Sequence, residues 1–286
     1  MKPMEPMEPM EPMEPMKPMA DRDLSTIRTF LLDLDGVVYR GETPLPGAVE
    51  FITELQTLHV PFLFITNNST RTPAQCVAKL ARVGLTVGEE AVLTSSLATA
   101  AYLSSIASPG TPVYVIGEVG LHRALSDRGF LVTDDHTAAR YVVAGHDTTL
   151  TWRKLAGATL AIRRGAPFIA TNPDRTLPTE EGLVPGAGAV LAALHAASGV
   201  SPQVIGKPEA AIFDQAMAWL GVDTEHAAMV GDRLETDILG GQRAGLRTVG
   251  VLSGVTTAEE FAQADLPPDW VFEDLAALLA AWRSLA

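Results

Sequence analysis

Cysteine is nearly absent from this 286-residue chain: Cys76 stands alone. An internal disulfide and a cysteine-based zinc site are therefore excluded. One unpaired thiol suits a reducing cytoplasm, which is the expected location. Basic residues are also scarce, 21 against 34 acidic ones, for a formal net charge of −13. That deficit argues against a general nucleic-acid binder and against a binder of anionic membranes. An acidic chain that handles phosphate needs a divalent cation or a few well-placed cationic groups. No uninterrupted apolar stretch reaches roughly 18 residues, the length that would suggest a membrane-spanning helix. The N-terminal segment lacks the apolar core of a secretory leader.

The chain does have hydrophobic content, 47% of residues, with a mean hydropathy of +0.17. At this length it fits two domains of ordinary size or one large one. Residues 1–19 repeat Met-Glu/Lys-Pro with period three and carry seven of the nine methionines. Proline at every third position forbids a helix and favours an extended, solvated chain. Residues 1–24 are read as a disordered tail, either an added leader or a low-complexity extension, with a proline-rich ligand as the alternative.

The folded part is organised around Thr29-Phe30-Leu31-Leu32-Asp33-Leu34-Asp35-Gly36-Val37-Val38. An apolar run of strand length ends in two carboxylates one residue apart, and glycine follows. A strand buried on both faces reads as such a continuous run, and ligands of open α/β sheets bind beyond the strands' carboxyl ends. Two acids this close repel each other unless a cation or a shared proton compensates. Asp-Gly is also a common solvated turn, so this stretch alone leaves both readings open.

Three further apolar strands end in polar residues. Pro61–Ile65 runs into Thr66-Asn67-Asn68-Ser69-Thr70, and Thr72-Pro73 then caps and opens a helix. Strand, polar turn and helix aim hydroxyls and backbone N–H groups at an anion. Val204-Ile205-Gly206-Lys207-Pro208 places Lys207 in a strand-to-helix turn, where a lone lysine is usually a solvated surface group. His226–Val230 ends in Gly231-Asp232-Arg233-Leu234-Glu235-Thr236-Asp237, and a helix is expected through Ala244. The stretch 97–204 carries its own alternation of strands and helices, which marks it as an inserted domain. The expected architecture is α/β: a doubly wound, Rossmann-like parallel-sheet core over 25–96 and 205–286, with an inserted α/β domain over 97–204.

Four ordered motifs thus stand on four strand tips: FLLDLDGVV, FLFITNN, IGKPEAAIF and AMVGDRLETDI. In this order they resemble the haloacid dehalogenase-like phosphohydrolases, whose motifs are hhhhDxDGx, hhhT/S, a lysine and hhhhGDxxxxD. DLDGVVYRG, TNNSTRTP, ATNPD and IGKP further resemble the branch with a large α/β cap. That branch includes p-nitrophenyl phosphatase-like, phosphoglycolate phosphatase and pyridoxal phosphatase enzymes.

The resemblance implies a Mg²⁺-dependent phosphatase of small phosphate monoesters. Asp33 would be the nucleophile that forms an aspartyl phosphate, and Asp35 the general acid and base. Mg²⁺ would be held by Asp33, the Asp35 carbonyl and Asp232, with Asp237 orienting the metal's waters or Lys207. Thr66, the Asn67 amide and Lys207 would stabilise charge on the phosphoryl oxygens. In the cap, Asn172 and Asp174 are candidates for substrate contact or cap positioning, against the plainer reading of an Asn-Pro-Asp turn. Cap opening and closing would gate substrate and water. His122, His136, His146 and His195 lack metal-ligand spacing and receive no role.

The implied partner is a small phosphorylated metabolite, such as phosphoglycolate, glycerol phosphate or a sugar phosphate, with p-nitrophenyl phosphate as an artificial ester. Cap-mediated homodimers occur in the branch, and the sequence does not decide for or against one. Two alternatives stand: a phosphotransferase or mutase of the same family, and a phospho-aspartate signalling module. Response-regulator receivers place similar groups on strand tips, but they are about half this length and lack the acid two residues after the phosphorylated aspartate.

Overall fold

The computed structural model describes residues 23–179 and 182–285. Nearly all of the expected tail lies outside the described residues, and Leu24 already opens a short 3₁₀ turn, Leu24–Thr26. Six strands pair in parallel in the order Trp270–Phe272, Arg247–Val251, Ala227–Gly231, Thr29–Leu32, Phe62–Thr66 and Val92–Thr94. The first of these in the chain is central. The next two build outward on one side, and the remaining three, much later in the chain, on the other. The order therefore reverses at Thr29–Leu32, which creates the crevice where open α/β sheets bind ligands.

Alternating side chains divide each central strand between two apolar layers. Phe30, Leu32, Phe64 and Val230 face one layer, with the helices Ala48–Thr57, Pro73–Arg82 and Leu275–Arg283. Phe30 meets Phe51 and Trp282 edge-on, with ring centroids 5.1 and 5.4 Å apart. Such pairs add about 0.5–1.5 kcal/mol beyond the area they bury. Leu31, Leu63, Ile65 and Met229 face the other layer, with the helices Ser95–Ile106 and Ala210–Leu220. Helices on both faces make the sheet doubly wound.

A second sheet has five parallel strands in the order Gln203–Val204, Phe168–Ala170, Tyr141–Ala144, Pro112–Ile116 and Leu131–Thr133. Its Val113, Val115, Val143 and Ile169 belong to the same buried layer as Leu31 and Met229, so one apolar layer joins the two sheets. Its other face packs on the helices Trp152–Arg163 and Ala187–Ser198.

Some elements differ from the sequence expectation, each for a local reason. The expected domain break near residue 97 lies inside Ser95–Ile106. The helix starts two residues before that break because Thr94 caps it, accepting the Leu97 N–H at 3.2 Å. Thr176–Thr179 and Gly182–Pro185 form an antiparallel ribbon, too short and proline-rich to register as strands. The helix expected after Asp232 opens as a π-helical turn, Leu234–Ile238, and becomes α-helical only over Leu239–Arg243. No helix among the described residues is long and apolar enough to cross a membrane.

Candidate active site

Asp33 directly follows its strand, and its N–H donates to the Val230 carbonyl at 2.9 Å. That bond ties the acid to the neighbouring strand, whose own end carries Asp232 and Asp237. All three acids are buried, and their carboxylates can bring one oxygen each within 4.8 Å of the others. Lys207 is buried too, and its Nζ lies 2.6 Å from both Asp33 Oδ1 and Asp237 Oδ1. The strand-to-helix turn after Val204 thus delivers the lysine into the acid cluster rather than to solvent.

Backbone shape makes this crowding feasible. Gly36 has φ +91°, a region L side chains rarely enter, and a Cβ there would sit 2.4 Å from Asp232 Oδ2. A Cβ on Gly231 would stand 2.1 Å from the Asp237 Cβ. The π-helical turn carries Asp237 back over the strand end, where its Oδ2 accepts the Arg233 N–H at 3.1 Å. Wide turns of this kind recur at functional sites. Both Asp237 oxygens are then engaged, one by Lys207 and one by backbone.

Three buried carboxylates against one ammonium leave two negative charges uncompensated. Burial, then repulsion by Asp237 and Asp33, pushes the Asp232 pKa well above the carboxylate range. Burial likewise raises Asp237, with Lys207 opposing it. Burial works against the Lys207 ammonium, but Asp237 and Asp33 outweigh it and raise its pKa. Asp232 Oδ2 accepts the Val255 N–H at 2.8 Å, while its buried Oδ1 has no hydrogen-bond partner. A two-charge deficit, an orphaned carboxylate oxygen and an all-oxygen donor set fit a hard divalent cation.

Asp35 stands apart. Its side chain is 53% exposed at the mouth of this cluster, 3.7 Å from the Nζ of Lys79. The surrounding protein still desolvates it enough to raise its pKa, against the attraction of Lys79. Lys79 was not among the residues the sequence singled out. The available signal was helical register: Lys79 shares the buried face of Pro73–Arg82 with Cys76 and Leu80, where an apolar residue is expected.

On the opposite flank, Thr66 ends its strand and its Oγ1 accepts the Asn68 N–H at 3.1 Å, so the hydroxyl proton is free to donate elsewhere. Asn67 binds the two sheets' loops together. Its amide donates to Asp174 Oδ1 and to the Lys207 carbonyl, each at 3.0 Å. Its carbonyl accepts from Asn172 Nδ2 at 2.8 Å and from Ser95 Oγ at 2.7 Å. Asn172 is buried and Asp174 half-buried, so both act on Asn67 in this structure. Ser95 and Ser96, also unremarked in the sequence, hold the same loop through the carbonyls of Asn67 and Ser69.

Comparison with known proteins decides the family. A model described as haloacid dehalogenase-like hydrolase matches residues 30–131, and a second, HAD-hydrolase-like model matches 204–278. The acid sugar phosphatase of Staphylococcus aureus is 45% identical over 248 residues, 87% of this chain and 95% of that protein. The chain belongs to the haloacid dehalogenase-like hydrolases.

Solved structures of the family agree. A double mutant of the thermostable NPPase from Geobacillus stearothermophilus, a p-nitrophenylphosphatase, superposes with a TM-score of 0.82 at 43% identity, covering 87% of this chain and 97% of that one. The glycerol phosphate phosphatase of Mycobacterium tuberculosis, solved in complex with magnesium, gives 0.83 at 37% identity, covering 89% and 77%. The two-sheet α/β architecture is that of the family's Rossmann-like core plus cap. The chain is an enzyme, a phosphatase of small phosphate monoesters.

Proposed function

We propose that this phosphatase is Mg²⁺-dependent and works through an aspartyl phosphate on Asp33. The convergence of Asp33, Asp232, Asp237 and Lys207 at the sheet's switch point carries this reading. The Asp33 carboxylate attacks phosphorus while Asp35 gives its proton to the departing ester oxygen, releasing the alcohol. Asp35 then takes a proton from water as that water attacks the acyl phosphate, freeing phosphate and restoring Asp33. Lys207, with two donors committed to Asp33 and Asp237, has a third for a phosphoryl oxygen. Thr66 Oγ1 and the Asn67 N–H would donate to the others. Mg²⁺, held by Asp33, the Asp35 carbonyl and Asp232, would supply the positive charge the cluster lacks. Asp237 holds Lys207 in place.

For the substrate, we propose a sugar phosphate or glycerol phosphate, on the strength of the relatives' activities. A cytoplasmic setting rests on cysteine usage alone. Phosphate release from a panel of these esters, phosphoglycolate and p-nitrophenyl phosphate, with Mg²⁺ or EDTA, tests the proposal. Turnover with Mg²⁺ and its loss in EDTA is the expected result, and equal rates in both would contradict it.

Metal binding also leaves a pH signature. Asp232 and Asp237 carry folded-state pKa values above those of the unfolded chain. The stability these two acids contribute to the metal-free protein is therefore fully present only below the ordinary carboxylate pKa, near about 4. That contribution is lost as pH rises through the folded values. Mg²⁺ binds the ionised form, so its stabilisation grows over the same window. The Mg²⁺-induced rise in Tm is expected to be several degrees at pH 8 and much smaller at pH 5. A rise independent of pH would remove the acid cluster as the metal site.

A further inference from the structure

Among the described residues only two cations are buried, Lys207 and Lys79, and Lys79 has no part in the chemistry above. Its ammonium sits 3.6 Å above the centroid of the Tyr39 ring and 3.7 Å from Asp35 Oδ1. Asp35 is the only ion-pair partner Lys79 has among the described residues. The nearby Glu42 is engaged by Arg82 at 2.9 Å. Tyr39 belongs to the turn that carries Asp35: its carbonyl accepts the Gly36 N–H at 2.9 Å and its N–H donates to the Leu34 carbonyl at 3.2 Å. Ring and carboxylate are thus presented by one turn, and the lysine reaches them from the helix Pro73–Arg82.

We propose that Lys79 is a positioning residue that holds the half-exposed Asp35 carboxylate against the leaving group of the substrate. An exposed aspartate samples several side-chain rotamers, and proton transfer needs one of them. Lys79 pairs with Oδ1 at 3.7 Å, and Oδ2 is then the oxygen that would serve the ester. The Tyr39 face holds the ammonium from the other side by cation–π attraction, so the cation is fixed without a second acid. Lys79 transfers no proton. As the P–O bond breaks, the proton passes from Asp35 to the ester oxygen.

This rests on the acid role assigned to Asp35, and the test separates the two. The readout is kcat/KM, which covers steps only through departure of the alcohol, for glycerol phosphate and for p-nitrophenyl phosphate. An alkoxide leaves poorly without a proton, whereas p-nitrophenolate leaves without one. Asp35→Asn is expected to cut kcat/KM for glycerol phosphate about 10²-fold or more, the usual size of acid catalysis, and for p-nitrophenyl phosphate far less. Lys79→Met is expected to repeat that pattern at about 10–100-fold against less than about 3-fold. Lys79→Gln, which keeps a polar head in the recess, serves if the methionine variant does not fold. If Asp35→Asn discriminates between the esters and neither Lys79 variant does, Lys79 is structural and the proposal falls alone. If Asp35→Asn itself lowers both esters equally, the acid role falls and the proposal with it.

Discussion

Asp33→Asn is expected to remove turnover on every phosphate monoester, by about 10⁴-fold or more, with the fold intact. An amide oxygen is a poor nucleophile, so the acyl phosphate cannot form. The substitution costs little elsewhere. The amide oxygen of the variant can still accept from Lys207 as the Asp33 carboxylate does at 2.6 Å, and one of three crowded carboxylates disappears. The Tm of the metal-free variant should therefore match or exceed that of the wild type. Phosphate release and a thermal melt on one preparation check both halves. Activity within tenfold of the wild type would contradict the assignment.

Lys207→Met is expected to damage both stability and activity. It leaves Asp33, Asp232 and Asp237 buried with no cation among them. Breaking a buried ion pair by removing one partner costs about 3–5 kcal/mol. In a protein of this size each kcal/mol lowers Tm by about 2–4 °C, so a fall of roughly 6–20 °C follows. The loss should be greatest at neutral and alkaline pH, where the unfolded chain's carboxylates are ionised and the folded state must bury their charge. It should shrink as pH falls below about 4, where Asp232 and Asp237 are protonated in the folded state and increasingly so in the unfolded chain. Adding Asp237→Asn should return part of the stability without the activity. A fall of under 2 °C for Lys207→Met at pH 7.5 would show that the pair is not what holds the cluster.

The residues that chemistry draws attention to were legible because burial on both faces leaves a plain mark in a strand. Phe30-Leu31-Leu32 and Ala227–Val230 are unbroken apolar runs, so the acids at their ends stand out. Lys207 was legible only by its place among the motifs, since nothing in Gly-Lys-Pro says that the ammonium turns inward between two acids. Lys79 left only a faint signal. Helical register sets it beside Cys76 and Leu80, but its helix reads as amphipathic with or without it, and only the fold shows that the lysine itself is buried. Thr94-Ser95-Ser96 has the composition of a loop, yet all three are buried, capping a helix and bracing the carbonyls of Asn67 and Ser69. The partners of Ser95 and Ser96 are near in space and distant in sequence. The apolar layer joining the two sheets is of the same kind: Val113 and Leu31 share it, but no periodicity in either strand names the other.

Acid-quenched single turnover with a ³²P-labelled monoester, followed by peptide mapping, tests the central claim most directly. The wild type should yield a transient acid-stable label on the peptide that contains Asp33. With labelled p-nitrophenyl phosphate, whose leaving group needs no proton, Asp35→Asn should accumulate that label, because loss of the base slows hydrolysis of the acyl phosphate. Asp33→Asn should carry none. Burst turnover with no labelled peptide in any variant, or a label mapped away from Asp33, would contradict the account.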